Sequence, residues 1–356
     1  MKRPYKLYLL TAILVFTIMT PMAWASSINK TGPKNKVYRI AYIEGGPFWA
    51  FPEIMKATKN ALESMGWEDK ISFLEKDHFS PGWNSQNRAK LNACAKKLMS
   101  RTDIDMLITA GTPATEAVLK VNNNKTPIVA IGVSDPLKSK FVSSKDDSGI
   151  DNFTARIVPG RFERMFEIFH DVVGFKKLGL IYTDTDNGRK YTNFTDAHIV
   201  AERKGFEIIS YSKIKDQSQA EDCLTGLKWL VENGMDAFFI PATNCFDWSQ
   251  NDVKLLINFL IENEIPTFAR EGTKYVKSGA LMGFSSIDWS ARGKYVANKI
   301  VKICQGESPR ALPMLDPGMP KITLNIYVAE KIGFDPPFDI IAASDEIFDD
   351  ITLPEK

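Results

Sequence analysis

The sequence predicts an α/β protein built on parallel sheets, and three observations carry that prediction. Nine short apolar runs recur along residues 37–284, longer amphipathic stretches separate them, and most of the runs are continuously apolar rather than alternating. A strand covered on both faces reads as such a run, and parallel neighbours need a crossover long enough to hold a helix. No tandem repeat, coiled coil or low-complexity segment competes with this reading.

In chain order the strands are expected at 37–43 (VYRIAYI), 71–75, 104–110 (IDMLITA), 127–133 (PIVAIGV), 177–183, 206–212, 235–241, 265–269 and 280–284. Between them PEIMKATKNALESMG, QNRAKLNACAKKLMSR, TDAHIVAERKG and QAEDCLTGLKWLVENG repeat apolar residues at helical spacing. The polar stretch SSKDDSGIDN at 143–152 is the expected link between two halves.

Ahead of these elements lies a segment of another kind. Lys2, Arg3 and Lys6 form a positive head, Leu7 to Met19 is apolar, and Ala23 and Ala25 are small. This is the pattern of an export leader, with cleavage expected after Ala25. The apolar run falls short of the roughly 20 residues that a membrane span needs.

The chain has 45 basic and 43 acidic residues, and the leader holds three of the basic ones and none of the acidic. The expected mature chain, about 331 residues long, therefore carries 42 against 43 and a formal charge of −1. That length suffices for two domains with real cores. The balance excludes the basic footprint of a nucleic-acid binder, so no nucleic-acid partner is expected. Neither a C-x-x-C nor a metal-ligand spacing joins Cys94, Cys223, Cys245 and Cys304 to His78, His170 and His198, so zinc is not expected. Nucleotide fingerprints are missing too, since GGP is not G-x-G-x-x-G and GTPATEA lacks the following G-K-[ST]. No cofactor is expected.

Parallel sheets present function at the carboxyl ends of their strands. The segments there are EGGPFWAF after 43, GTPATEA after 110, SDPLKSK after 133, DTDNGRKYT after 183, ATNCFDW after 241 and REGTKY after 269. They are rich in hydroxyl, amide and charged groups. Thr112 is expected as an N-cap with Pro113 at the first helical position, and Asp135 with Pro136 repeats the pattern. A helix start of that kind suits a carboxylate or phosphate. Phe48, Trp49 and Phe51 crowd a loop where a turn is expected. They read either as a flat apolar wall for a ligand, with Trp49 the first choice, or as a staple under the following helix.

These stretches resemble a known family. DMLITAGTPATEAVLK, TPIVAIGVSDPL, KKLGLIYTDTDNG, DAFFIPATN, IPTFAREGTKYVKSGALMGFSSIDWSARGKYVANKIVKICQGESP and the tail PKITLNIYVAEKIGFDPPFDIIAASDEIF are similar to the periplasmic substrate-binding proteins of ABC transporters, type I. The likeness is nearest to the branch with the tryptophan- and phenylalanine-binding components, and it runs from residue 37 to about 348.

The resemblance implies two doubly wound parallel-sheet lobes and a hinge crossed three times, with lobe 1 at 36–153 and 281–311 and lobe 2 at 154–280 and 312–356. It implies a cleft site holding Thr112, Thr115, Ser134, Asp135, the loop of Tyr182 and Asp184, Asn244 and Glu271. It further implies a periplasmic monomer that delivers an amino acid to an inner-membrane ABC permease. The chain departs from the usual pattern at Arg270 and Glu271, at Arg189 and Tyr191, and in the long aromatic opening loop.

On this expectation a ligand carboxylate meets Thr112, Thr115 or Ser134, an ammonium meets Asp135 or Glu271, and Asn244 completes the hydrogen bonds. Arg270 is left with three roles: pairing with Glu271, binding a carboxylate, or facing solvent. Two other functions share the sequence. A sensory module would use the same cleft for a membrane kinase or chemoreceptor, and an enzyme would need a catalytic pair that nothing selects. The layout makes a Cys223–Cys245 bridge reasonable and puts Cys94 with Cys304 in lobe 1, while four free thiols stay open.

Overall fold

A computed structural model describes residues 36–83, 85–215, 218–284, 289–316 and 321–354. The expected leader lies outside them. Among the described residues no helix is long and apolar enough to cross a membrane.

The first lobe begins with β1 (Tyr38–Glu44), α1 (Ala50–Ser64), β2 (Ile71–Ser72), β3 (His78–Phe79), α2 (Ser85–Met99), β4 (Met106–Ala110), α3 (Thr112–Lys120), β5 (Ile128–Ile131) and β6 (Phe153–Thr154). All pairings here are parallel, in the order β2-β1-β4-β5-β6 with β3 also on β1. Alternate residues feed two cores, as the two-residue period of a strand requires. Ala41, Ile43, Leu107, Ile128 and Ala130 pack under α2 and α3. Ile40, Tyr42, Met106, Ile108 and Val129 pack under α1 and a helix that arrives later in the chain.

The second lobe follows as α4 (Arg161–Val173), β7 (Lys177–Ile181), α5 (Asp186–Tyr191), α6 (Phe194–Lys204), β8 (Glu207–Tyr211), α7 (Ala220–Glu232), β9 (Ala237–Ile240), α8 (Val253–Glu262), β10 (Thr267–Ala269), α9 (Thr273–Lys277) and β11 (Met282–Phe284). The chain then returns to lobe 1 as α10 (Trp289–Cys304), the second helix on the Ile40–Met106 face. It ends in lobe 2 with β12 (Ile322–Asn325), α11 (Ile326–Lys331), α12 (Phe338–Ala343) and β13 (Ser344–Phe348). The second sheet runs β13-β12-β11-β10-β9-β7-β8 and is parallel except between β11 and β12.

The lobe boundaries differ from those expected. Thr154 still pairs with Val129 in the first sheet, and Met282–Phe284 belongs to the second, so lobe 2 does not open at 154 or close at 280. The stretch 143–152 is not the link, because Arg310 ties Asp147 (2.7 Å) and Asp151 (2.9 Å) back to lobe 1. The link is the following segment, where Ile157 bridges Leu315 and Arg156 pairs with Asp316 at 2.6 Å. Two of the three crossings therefore lie side by side.

Cys223 and Cys245 form a disulfide, with their Cα atoms 6.3 Å apart. Cys94 and Cys304 are free. The expected lobe 1 pair cannot meet, since Cys94 packs with the α2 face of the sheet and Cys304 with the α10 face.

Candidate functional site

Because the strands run parallel, the segments after β1, β4, β5, β7, β9 and β10 come to one edge of each sheet. Between the lobes they enclose a cavity of about 620 Å³. Its lobe 1 wall is aromatic. Phe48 meets Phe51 edge-on at 5.3 Å, and Phe51 lies 6.3 Å from Trp83. Trp83 is fixed by its indole N–H, which donates to the Pro47 carbonyl at 2.7 Å.

Glycine makes this wall possible. Gly111 (φ 82°) and Gly132 (φ 61°) sit in the left-handed region, and a Cβ on either would come within 2.9 Å and 2.7 Å of the Phe51 ring. Only residues without a side chain let the ring lie on the ends of β4 and β5. Gly111 is also the N-cap of α3, which moves Thr112 from the expected cap to the first helical position. The Thr112 hydroxyl accepts from the Ser134 N–H at 3.3 Å.

The lobe 2 wall is polar. Thr183, Thr185, Asp186, Lys190, Tyr191, Thr243 and Asn244 face the cavity, along with Cys245 of the disulfide. Thr185 caps α5 by accepting from the Gly188 N–H at 3.0 Å. At the rim Glu116 holds Lys120 (2.8 Å) and Arg88 (3.7 Å). Burial pushes the Glu116 carboxyl up, but the Lys120 hydrogen bond and the charges of Lys120, Arg88 and Lys190 prevail and hold it below the usual carboxylate range.

Arg270 occupies the floor and is only 7 % exposed. Its Nε donates to Asn193 Oδ1 at 2.8 Å, one terminal nitrogen pairs with Glu271, and the other donates to Ser134 Oγ at 3.0 Å. The guanidinium also lies 4.9 Å over the Phe162 ring. Of the three roles left to it, facing solvent is eliminated. The Ser134 bond joins lobe 2 to lobe 1, as do Lys138 with Asp196 and Gln250 with the Pro47 carbonyl (3.2 Å).

Phe48, Thr112, Ser134, Asn244 and Arg270 thus come together around the cavity. Six other expected residues lie outside its lining. Trp49 is 8 % exposed, and its ring packs on Tyr275 and Trp289 at 6.2 Å and 5.9 Å instead of forming the wall. Thr115 points into the sheet, with its hydroxyl on Thr109 and the Gly111 carbonyl, both at 2.9 Å. Asp135 accepts from the Leu137 and Lys138 N–H groups at 2.9 Å and 3.0 Å, capping a single turn where a helix was expected. Tyr182 stacks edge-on with Phe194 at 5.0 Å. Asp184 pairs with Arg189, and Glu271 with Arg270.

Trp83 was missed by the sequence reading, though the strand-end rule reaches it. Applied to the short β3, that rule points to the loop holding SPGW. Lys190, within the DTDNGRKYT loop, and Ile214 and Lys215, just past the end of β8, also line the cavity but were not singled out.

Among the described residues no group of His, Cys, Asp and Glu is placed to hold a metal ion. Comparison with solved structures finds the same fold repeatedly. An ABC domain in complex with L-Trp from Streptococcus pneumonia is 17 % identical over 87 % of this chain and 100 % of that one, with a TM-score of 0.70. A conserved domain protein from Vibrio cholerae is 19 % identical over 88 % and 100 %, with a TM-score of 0.72. The ligand-free, open form of a substrate binding protein with adhesive properties from Clostridium difficile is 20 % identical over 88 % and 99 %, with a TM-score of 0.58. No curated protein matches at a significant level. Residues 42–347 match the family described as ABC transporter substrate binding protein, and the chain belongs to that family.

Proposed function

We propose that the chain is an exported binding protein, freed of its leader after Ala25, that captures an aromatic amino acid between its lobes and delivers it as a monomer to an ABC permease. One observation carries the ligand class: a cavity of about 620 Å³ with rings on one wall and hydrogen-bonding groups on the other. Pockets of a few hundred cubic ångströms lined in this way suit a small molecule with an apolar body and a polar head.

The ligand ring lies against Phe48, Phe51 and Trp83, where ring–ring contact adds about 0.5–1.5 kcal/mol beyond area burial. Its carboxylate meets Arg270, Ser134 and Thr112, taking over the guanidinium N–H that Ser134 now accepts. The two carboxylates first expected to take an ammonium are spent, Asp135 on backbone and Glu271 on Arg270. Glu116 is held by Lys120, so Asp186 is the cavity carboxylate left for that role. Hinge closure brings both walls onto the ligand at once and excludes water from the contacts.

The test is a thermal-shift screen of protein unfolded and refolded to strip carried-over ligand, against amino acids, short peptides, polyamines, nucleosides and sugars. Binding to the folded state alone raises the melting temperature. The expected result is a shift with tryptophan, phenylalanine or tyrosine that Asp186→Asn and Ser134→Ala reduce. Shifts only with non-aromatic compounds overturn the ligand class, and no shift at all overturns capture. Delivery is read as loss of uptake of that compound in cells lacking the chain.

A further inference from the structure

Behind the cleft floor lies a second cavity of about 20 Å³, which shares Gly132 with the first. Its walls are Val129, Ile131 and Val133 of lobe 1 together with Arg156, Arg292 and Lys299. Arg156 stands on the first crossing, whereas Arg292 and Lys299 lie two turns apart on α10. Every charged side chain in the lining is a cation. Tyr295 also borders the space, but its hydroxyl is turned to the Pro313 and Met314 carbonyls at 3.0 Å and 2.8 Å.

The cations are unequally compensated. Arg156 pairs with Asp316 at 2.6 Å. Lys299 is 5 % exposed, and its ammonium donates to Thr154 Oγ1 and the Pro313 carbonyl, both at 2.7 Å. Both of those partners are neutral. Arg292 makes no hydrogen bond or ion pair with any described residue, and its guanidinium lies 5.4 Å from the Trp289 ring. Burial, reinforced by the neighbouring Arg156 and Arg161 guanidiniums and opposed by the Glu271 carboxylate, pushes the half-buried Arg292 down to about 9. Burial likewise pushes Lys299 down to about 7.

Taking an uncompensated cation out of water costs several kcal/mol, so a space walled by three cations, of which only Arg156 has an anionic partner among the described residues, calls for negative charge. Guanidinium and ammonium groups donate and never accept, so the favoured occupant accepts only. The volume narrows the choice further. It exceeds the roughly 10–15 Å³ that one water requires and leaves no room for a tetrahedral oxyanion.

We propose that this cavity binds a monatomic anion, chloride under ordinary conditions, held between Arg156 of the first crossing and Arg292 and Lys299 of α10. The bound ion ties the hinge segment to lobe 1 and stabilises the folded chain. It is separate from the ligand in the main cleft and does not depend on that ligand's identity.

The test is thermal unfolding of the purified chain at fixed ionic strength, with sodium chloride replaced stepwise by sodium gluconate. Chloride is expected to raise the midpoint saturably, by about 2–4 °C at tenfold its dissociation constant. Bromide should substitute and sulfate should not. Arg292→Gln and Lys299→Met should each remove the chloride dependence while the fold persists in gluconate, and the apolar methionine keeps a readable protein if the arginine variant does not fold. Equal midpoints in chloride and gluconate overturn the proposal, as does a chloride effect that survives both substitutions. Asp288, four positions before Arg292, lies outside the described residues and supplies the sharpest control. A chloride effect that appears only in Asp288→Asn shows that this carboxylate fills the role, and overturns the site in the natural chain. In a bromide-soaked crystal, an anomalous peak between Arg156 and Arg292 supports the proposal, and peaks confined to the surface overturn it.

Discussion

Lobe 1 meets the cleft with rings laid on glycine backbone, whereas lobe 2 meets it with short polar side chains set on a capped helix and a disulfide-anchored loop. Phe51 is 4 % exposed and belongs to the hydrophobic core of its lobe as well as to the cavity wall. Asp186, on the facing wall, is exposed and has no such second duty. The difference separates two tasks. One wall is fixed by the packing that folds the lobe, and the other can vary its hydrogen bonds at little cost to stability.

Substitutions should break this asymmetry in graded fashion. Phe51→Ala removes a core ring and should cost about 3–5 kcal/mol in denaturant unfolding, together with ligand binding. Replacing Cys223 and Cys245 by alanine frees the loop that carries Thr243 and Asn244. Their sequence separation is 22, so the loss should be about 2–4 kcal/mol, with weaker binding than the intact chain.

Behind the lobe 1 wall, Lys299 gives a pH signature. Its folded pKa is lowered from 10.5 to about 7, so between those values the unfolded chain holds the extra proton. Its penalty is therefore complete below pH 7 and fades as pH rises toward 10.5. In chloride-free buffer, stability should climb across that window by at most about 1.4 kcal/mol per pH unit, and Lys299→Met should flatten the climb. Asp186→Asn should change stability by less than about 0.5 kcal/mol while reducing ligand affinity. A large stability loss there would erase the contrast between the walls.

Much of this was legible in the sequence, because parallel strands bring their ends to one edge and the loops there can be read off directly. All nine expected strands are present, though 71–75 shrinks to Ile71–Ser72. The loops identify the site's neighbourhood, but backbone geometry decides which side chain enters it. Trp49 takes a helical conformation (φ −51°, ψ −32°) at the start of α1, and its ring packs against lobe 2 while Phe48 and Phe51 face the cavity. With Gly111 as the cap, Thr115 lies one turn into α3 and back-bonds to the Gly111 carbonyl. β13 escaped notice because SDEIF is a half-exposed edge strand, whose charges protect the edge and break the apolar run. Arg270 could not be resolved in advance, since its partners Asn193 and Ser134 lie 77 and 136 residues away.

The most direct measurement is a crystal structure of the stripped and refolded chain with the compound that gives the largest thermal shift. The account predicts that compound between Phe51 and Asn244, its acidic group on Arg270 and Ser134. Density for it outside the interlobe cavity, or a cavity filled only by solvent, would contradict the account.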